Sequence, residues 1–239
     1  MDDMRALLKS YSKHDGFYMS DEQTDKFSLY AELLLKRNKE FNLTAISDPG
    51  EIAVKHFLDS IAPLIKRDFK NSASVIDVGS GAGFPGLPMK IMRDDLNVCL
   101  LDSSAKRANF LKEVCDALGL KSVNIVTARA EDAARCADFR ENFDFCVTRA
   151  VARLNVLLEL CAPFVRVGGE VLALKGKNVR SELAECENTF SRLGLSAAKI
   201  EQAALPDSDL SHNIVIFKKE KKTKDTYPRS YANIKKSPL

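Results

Sequence analysis

Three glycines at alternate positions are the residues of this sequence with the clearest chemical use. Gly79, Gly81 and Gly83 follow directly after the apolar segment 75–78. Because glycine has no Cβ, the backbone there can turn tightly and approach a ligand to contact distance. Asp102 comes 23 residues after Gly79, at the end of the next apolar segment, where a carboxylate can accept hydrogen bonds from both hydroxyls of a ribose. The spacing predicts a binding site for an adenosine-containing cofactor.

Each of these residues also has a purely structural use, since the glycines can form a tight turn without a ligand and a carboxylate can cap a helix. If a ligand binds, the neighbouring residues decide its class. The segment 81–86 reads GAGFPG and formally matches a dinucleotide fingerprint. However, Asp77 disfavours a nearby phosphate, and Pro85 and Pro88 lack a backbone N–H donor. The sequence therefore favours S-adenosylmethionine, which carries no phosphate, and an NAD-dependent oxidoreductase remains an alternative.

The elements that must position these residues follow from the hydropathy pattern. From Ser74 onward, seven short apolar segments of strand type alternate with segments of helical periodicity. This alternation predicts an α/β fold, with a mostly parallel, Rossmann-like sheet of seven strands whose last strand is antiparallel. The expected helices after the second strand include 104–118, 153–165 and 180–193, the first and last of them ended by Gly119 and Gly194.

The first third of the chain has a different pattern. Residues 2–70 show helical spacing of apolar positions, interrupted by the polar segment FNLTAISDPG at 41–50. We therefore expect an N-terminal helical cap over residues 1–70, a core domain over 71–219 and a basic C-terminal tail over 220–239.

Composition limits the class of protein further. The six cysteines are at least ten residues apart, with no Cys-x-x-Cys pair, so neither a zinc site nor a disulfide framework is expected. The N-terminus lacks an apolar signal segment, and no run reaches the roughly 18 apolar residues of a membrane span. Without coiled-coil heptads or long apolar surface runs, the default expectation is a cytoplasmic monomer with no metal.

The net positive charge of the chain lies in its tail. Residues 218–239 contain eight basic and two acidic side chains, whereas the whole chain has a net charge of +3. A basic tail on a mildly acidic body suggests a polyanionic partner such as nucleic acid, and a solvated, flexible charge run is the alternative. We expect a flexible segment in which Tyr227 and Tyr231 could stack on RNA bases.

Read together, several segments resemble those of the bacterial 16S rRNA 7-methylguanosine methyltransferases known as RsmG or GidB. They cover the chain from about Phe41 to the C-terminus and comprise FNLTAI, HFLDS, VIDVGSGAGFPGLP, LLDSSAKRANFL, ARAED, VTRAVARLNVL, LALKG and YPRSYANIKKSPL. The resemblance implies a class I methyltransferase fold that transfers a methyl group from S-adenosylmethionine to N7 of a guanine in the 530 loop of 16S rRNA. It also points to RNA within the 30S subunit or an assembly intermediate as substrate.

The resemblance also implies which residues touch the cofactor: Gly79 and Phe84 in the loop, Asp102 at the ribose, Ala130 and Glu131 near the adenine, and Arg149. His56 and Asp59 recur in the family and, three residues apart on a helix, share a face. They are secondary candidates, and His56 is at least as well explained as a structural histidine.

Two cations at strand ends are the catalytic candidates. Arg149 and Lys175 end the fourth and fifth apolar segments, where they could hold a phosphate or the O6 and N7 edge of guanine. A salt bridge is the structural alternative for each. Lys106 and Arg107 could face RNA or form a solvated helix face.

No general base stands out in the sequence. The Asn/Asp-Pro-Pro-aromatic element of amine methylation is absent, as is a cysteine after proline. Methylation at N7 needs no general base, because N7 has a lone pair and no proton to lose. Catalysis then depends mainly on placing the methyl sulfonium in line with N7. A non-catalytic RNA-binding module that retains the cofactor fold is the other alternative.

Overall fold

The computed structural model describes residues 2–12, 18–186, 188–204 and 211–239. Seven strands form one sheet in the order β3-β2-β1-β4-β5-β7-β6. Strands β1 to β5 are parallel, and β7 pairs antiparallel with both β5 and β6. The predicted α/β class, strand number and antiparallel last strand are confirmed. The strands are β1 (Ser74–Val78), β2 (Asn97–Asp102), β3 (Val123–Thr127), β4 (Phe143–Arg149), β5 (Val165–Lys175), β6 (Lys199–Ala204) and β7 (Ser211–Lys218).

Helices precede the sheet and cover both of its faces. The N-terminal ones are α1 (Asp2–Ser12), α2 (Asp21–Asn38), α3 (Pro49–Ile52), a π-helical turn (Ala53–Leu58) and α4 (Asp59–Lys66). Those that follow are α5 (Gly86–Met92), α6 (Ala105–Leu118), α7 (Ala130–Ala133), α8 (Leu154–Cys161) with a 3₁₀ turn (Ala162–Phe164), α9 (Val179–Ala184), α10 (Thr189–Leu193) and α11 (Tyr231–Lys236). In the part of the chain that the structure describes, no helix has both the length and the apolarity to cross a bilayer.

Local sequence explains both boundaries of α6. Helix α6 begins where the Ser104 hydroxyl accepts a hydrogen bond from the Arg107 N–H, and it ends at Gly119 with a φ of 62°. The expected helix at 180–193 is instead two short helices, α9 and α10. Cys186, which follows α9, is buried in the same core as Leu193 of α10.

The N-terminal helices share a hydrophobic core with the sheet. Phe27, Tyr30 and Phe57 are fully buried and pack in one cluster with Val75 of β1 and Leu100 of β2. Because one continuous core joins these elements, the N-terminal helices hold a defined position over the carboxyl ends of the strands. That position brings residues of the π-helical turn and α4 close to the end of β4.

The C-terminal tail is expected to be flexible, but in the structure it packs against the rest of the protein. Glu159 of α8 is fully buried and accepts hydrogen bonds from the backbone N–H of Arg229 and from its Nε and Nη2. Lys219 is fully buried as well, and its Nζ donates to the Ala162 carbonyl at 2.6 Å. A buried carboxylate requires a paired cation, so Arg229 and its neighbours are ordered by α8.

Candidate functional site

A cavity of about 440 Å³ opens where β1, β2, β3 and β4 end. In an open parallel sheet this edge is where ligands bind, because the loops there diverge. The cavity brings together most of the residues predicted from the sequence to bind a cofactor. Seven of them line it: Gly79, Gly81, Phe84, Asp102, Ala130, Glu131 and Arg149.

Two glycines of the loop after β1 shape the cavity floor. Gly79 and Gly81 have φ values of 74° and 59°, a backbone region that L side chains rarely adopt. A Cβ at Gly79 would lie 2.5 Å from the Val151 side chain. A Cβ at Gly81 would meet only the Gly79 carbonyl, at 3.9 Å, and so would project into open space. Gly81 therefore leaves room that a ligand can occupy.

Gly83 has a packing role that the sequence did not indicate. It does not line the cavity, and a Cβ there would lie 2.5 Å from the Tyr30 hydroxyl and 2.6 Å from Leu87. The Tyr30 hydroxyl donates to the Ala82 carbonyl, which fixes the loop onto α2. The structure thus gives Gly83 a packing role, since this glycine permits close approach of the loop to α2, and its contact with the cofactor stays a prediction.

Asp102 ties the loop to the second strand. Its Oδ2 accepts a hydrogen bond from the Gly81 N–H at 2.9 Å, and its Oδ1 accepts one from the Ser104 N–H at 2.8 Å. The carboxylate lies in the cavity wall, and Arg107 Nη1 is 3.4 Å from it. Each carboxylate oxygen can accept more than one hydrogen bond, so ligand hydroxyls can still bind there.

Two buried polar atoms in and behind the loop have no hydrogen-bond partner among the described residues. They are Oδ1 of Asp77 and the hydroxyl of Ser80. Oδ2 of Asp77 accepts from the Gly86 N–H at 2.8 Å, and burial raises the pKa of this carboxyl to about 7. An unsatisfied buried polar group costs about 1–3 kcal/mol, and a ligand that donates to these atoms would offset that cost.

Arg149 is held at the opposite wall by the N-terminal helices. Its Nη1 donates to the Lys55 carbonyl at 2.9 Å and to Oδ2 of Asp59 at 3.0 Å. Its Nη2 lies 3.2 Å from Nδ1 of His56, and the guanidinium carbon lies 4.8 Å from the centroid of the Phe84 ring. These contacts use three of the five guanidinium N–H donors, which leaves two for a ligand. The salt bridge proposed as the structural alternative for Arg149 is present.

The pKa of His56 favours a neutral imidazole in this cluster. Its ring stacks on Phe84 with centroids 4.6 Å apart, and its Nε2 lies 2.7 Å from the Thr44 hydroxyl. Burial, reinforced by the charge of Arg149, lowers the pKa of His56 to about 4. A neutral imidazole with its proton on Nε2 can donate to Thr44 and accept from Arg149 at Nδ1.

Asp59 joins a third element to the cluster. It is almost fully buried, and Nδ1 of His212 on β7 lies 2.7 Å from its Oδ1, a salt-bridge contact when that imidazole is protonated. His56 and Asp59 therefore do lie together as the sequence indicated, with Arg149 between them. The participation of His212 was not predicted, because β7 is more than 150 residues further along the chain.

Lys175 does not join the site. Its Nζ donates to Oε2 of Glu182 at 2.7 Å and to the Ala152 carbonyl at 2.6 Å, and it does not line the cavity. Glu182 also accepts from the Leu154 N–H at the start of α8. The salt bridge given as the structural alternative for Lys175 is therefore present and holds α9 against the start of α8, and a catalytic role for Lys175 stays a prediction.

Sequence reasoning missed several cavity residues. Thr44 and Val151 line it from two loops, and Tyr231 lines it from α11 in the tail. The first two belong to the segments FNLTAI and VTRAVARLNVL that carry the family resemblance. No local pattern indicates that Tyr231 returns to the glycine loop.

The site suits S-adenosylmethionine. The open space at Gly81 fits a ligand in contact with the backbone, and Asp102 offers acceptors for a ribose. The orphaned hydroxyl of Ser80, which lines the cavity, suits a donor such as an ammonium group, and the orphaned oxygen of Asp77 lies buried behind the loop. Ala130 and Glu131 are the first residues of α7, where backbone N–H groups lack intrahelical partners and can bind ring nitrogens.

Comparison with known proteins gives one consistent result. The family described as "GidB: rRNA small subunit methyltransferase G" matches residues 23–211. A protein of Clostridium perfringens (strain 13 / Type A) named ribosomal RNA small subunit methyltransferase G is 46% identical over 233 residues, which is 98% of each chain. A protein of the same name from Lactobacillus johnsonii is 42% identical over 235 residues, which is also 98% of each chain.

Solved structures of distant sequence share the fold. A precorrin-6y C5,15-methyltransferase from Geobacter metallireducens superposes with a TM-score of 0.51 at 11% identity, over 66% of this chain and 87% of its own. A predicted O-methyltransferase from Agrobacterium tumefaciens gives 0.53 at 19% identity, over 70% and 82%. The predicted class I methyltransferase fold is confirmed.

Proposed function

The chain belongs to the rRNA small subunit methyltransferase G family, and on this premise we propose that it methylates N7 of a guanine in the 530 loop of 16S rRNA. One observation of the site supports this most directly. A single cavity unites the open glycine loop, the carboxylate of Asp102 and the guanidinium of Arg149. S-adenosylmethionine, when bound, supplies a methyl group on a positively charged sulfur as the electrophile.

The ends of β1, β2 and β3 would hold the cofactor. Asp102 would accept hydrogen bonds from the ribose hydroxyls, and each charge-assisted hydrogen bond contributes about 1.5–3 kcal/mol. The backbone N–H groups of Ala130 and Glu131 would donate to the adenine ring. The hydroxyl of Ser80 in the cavity wall, with the unpartnered Oδ1 of Asp77 buried behind it, would accept from the ammonium of the amino-acid end.

Arg149 lies at the end of the cavity where methyl transfer to guanine is proposed. Its two uncommitted N–H donors suit a carboxylate of the cofactor and O6 of guanine, because both are oxygen acceptors that pair with guanidinium groups. Asp59 lies 3.0 Å from Arg149 and compensates its charge, which limits repulsion with a cationic sulfur nearby. The Phe84 ring under the guanidinium fixes its plane.

Proton removal is not required of this site. N7 of guanine is a hydrogen-bond acceptor with an in-plane lone pair, so the residues need to orient the base and exclude water. The neutral imidazole of His56 can accept a hydrogen bond from Arg149 and is not needed as a base. Orientation of this kind can account for several kcal/mol of the barrier, up to roughly 7–11 kcal/mol in favourable cases.

The RNA partner is proposed to approach over the mouth of the cavity. Arg107 on α6 and Arg129 just before α7 are exposed residues of the cavity lining, and Lys106 is exposed next to Arg107 on α6. Such side chains bind phosphates and position the substrate without reading its sequence. We propose RNA within the small subunit or an assembly intermediate as substrate. We also propose that the protein acts as a cytoplasmic monomer. Its helical cap, core and tail would divide near residues 70 and 219.

The decisive experiment is transfer of a labelled methyl group from S-adenosylmethionine to small subunits from a strain that lacks this protein. Mass spectrometry of the digested rRNA should show a single 7-methylguanosine in the 530 loop. Modification of another nucleoside would refute the proposed target. Binding of S-adenosylhomocysteine without any transfer would favour the non-catalytic RNA-binding alternative, and binding of NAD instead would favour the oxidoreductase.

A further inference from the structure

We propose that Tyr231, on the C-terminal helix α11, forms the outer wall of the cofactor site and covers the adenine ring. The inference rests on the proposed function, since it assumes that an adenosine cofactor occupies the cavity. Tyr231 lines this cavity together with residues of the glycine loop, although it lies 150 residues beyond Gly81 in sequence. The C-terminal segment would then be part of the cofactor site.

A buried ion pair brings the chain to this position. Glu159 on α8 is fully buried, and the Arg229 guanidinium contacts both of its oxygens, with Nη2 at 2.7 Å from Oε2. The backbone N–H of Arg229 donates to the same carboxylate at 2.8 Å. Just before Arg229, the Tyr227 carbonyl accepts a hydrogen bond from the Arg140 guanidinium and the Pro228 carbonyl accepts one from Arg135. The backbone just before α11 is therefore fixed from two sides.

The contacts of Ile234 place α11 at the adenine end. Ile234 is fully buried and forms a small cluster with Val156 and Leu160 of α8, against which Ala130 packs. Ala130 begins α7, which we assigned to the adenine ring, and Leu160 also lines the cavity. Tyr231 lies one helical turn before Ile234, so its ring is held at this end and not at the Arg149 end.

The Tyr231 ring is open to a ligand. It is 39% exposed, one of few large apolar side chains that the described structure leaves exposed. An aromatic ring at the rim of a cavity provides a flat surface, and a purine stacks on such surfaces irrespective of its hydrogen-bonding edge. Because Ala130, which packs against the Ile234 cluster, belongs to the cofactor wall, the favoured occupant is the adenine of the cofactor and not a base of the RNA.

The test is calorimetric binding of S-adenosylhomocysteine to the full-length wild type and to Tyr231→Ala, Tyr231→Phe and Tyr18→Ala. Tyr18 is the matched control because it is 82% exposed and does not line the cavity. We expect Y231A to weaken binding about tenfold, within the range for loss of a stacked base. Y231F should stay within about twofold of wild type because it keeps the ring, and Y18A should be unchanged.

A second ligand shows which end of the cofactor the ring contacts. 5′-Methylthioadenosine keeps the adenine and ribose but lacks the amino-acid end, so Y231A should weaken its binding by the same factor. A loss confined to S-adenosylhomocysteine would overturn the assignment to adenine. Because the chain contains no tryptophan, tyrosine emission can also be followed, and quenching on ligand binding should be smaller in Y231F.

Other outcomes separate this proposal from the proposed function. If the wild type binds S-adenosylhomocysteine and Y231A binds it equally well, the proposal is overturned and the methyltransferase function stands. If Y231A loses affinity for 16S rRNA and keeps its affinity for S-adenosylhomocysteine, the ring belongs to the RNA side, which also overturns it. A wild type that binds no adenosine ligand would contradict both.

Discussion

Arg149, at the end of β4, and Asp59, in the first turn of α4, form an ion pair of 3.0 Å across the junction between the sheet and the N-terminal helices. The side chain of Asp59 is 1% exposed and that of Arg149 is 14% exposed. The pair therefore lies where water screens it little. It connects the packing of the N-terminal helices directly to the orientation of a guanidinium in the cavity.

Removing Asp59 should cost much more than removing an exposed partner. Asp59→Ala leaves the Arg149 charge buried without its carboxylate, and we expect unfolding free energy to fall by about 3 kcal/mol or more. Glu185→Ala breaks the Arg153–Glu185 pair, whose side chains are 60% and 44% exposed, and should cost less than about 1 kcal/mol. Urea denaturation measures both. Equal losses would show that the Asp59 pair contributes no more than a surface contact.

The neutral state of His56 predicts a pH dependence of stability. The native pKa is about 4 and the usual value is 6.5, so between these pH values the unfolded chain binds a proton that the native protein does not. Stability therefore rises with pH across this window. Between pH 4 and pH 6.5, the unfolding free energy of wild type should rise by on the order of 3 kcal/mol relative to that of His56→Gln.

The measurement for His56 is urea denaturation of both proteins at several pH values, with NMR of the imidazole as a direct check. The ring signals of His56 should titrate near pH 4. Titration near pH 6.5 would contradict the neutral-acceptor role, since a protonated ring cannot accept from Arg149.

Gly81 and Gly119 form a matched pair for testing the glycine loop. Their φ values are 59° and 62°, and neither position has a close neighbour for a Cβ. Alanine at either position should therefore cost a similar 1–2 kcal/mol of backbone strain. Only Gly81→Ala places a methyl group in the cavity, so it alone should weaken S-adenosylhomocysteine binding, by about tenfold or more. If calorimetry shows equal affinities for the two variants, the ligand does not contact the loop.

Asp102→Ala should remove most cofactor affinity. The loss of two charge-assisted hydrogen bonds to a ribose predicts a decrease of about 100-fold or more in affinity for S-adenosylhomocysteine. Because Asp102 also holds Gly81 and Ser104, part of the loss would come from the loop. Asp116→Ala, on the exposed side of α6, is the control. 2′-Deoxy-S-adenosylhomocysteine separates the loss of ribose hydrogen bonds from the change in the loop. Wild type should bind it more weakly than S-adenosylhomocysteine, whereas D102A should bind the two ligands with similar affinity.

Asp77 should make cofactor binding dependent on pH near neutrality. Burial raises its pKa to about 7, so in the free protein much of the carboxyl is protonated below that value. An ammonium group binds the ionised form, and affinity should therefore rise about tenfold from pH 6 to pH 8. Asp77→Asn should show weaker binding with a flat profile over this range. A wild-type profile as flat as that of the variant would exclude Asp77 as the partner of the ammonium.

Much of the fold follows from local sequence. The alternation of strand and helix segments predicts the sheet because period and length are properties of each segment alone. Gly119 ends α6 as expected, since a left-handed residue favours glycine wherever a helix must end. The single expected helix at 180–193 failed for the opposite reason, because burial of Cys186 in the core beneath it depends on tertiary packing.

By itself, the sequence determined that a glycine loop and Asp102 meet at one edge of a parallel sheet, because both come directly after a strand and parallel strands end together. Only the tertiary structure decided that Gly83 packs on Tyr30, that Lys175 pairs with Glu182 and that Tyr231 reaches the cavity. These contacts join segments whose positions depend on how helices dock on the sheet and on which buried charges find partners. The hydropathy pattern of a single segment does not contain that information, since docking is a property of the whole core.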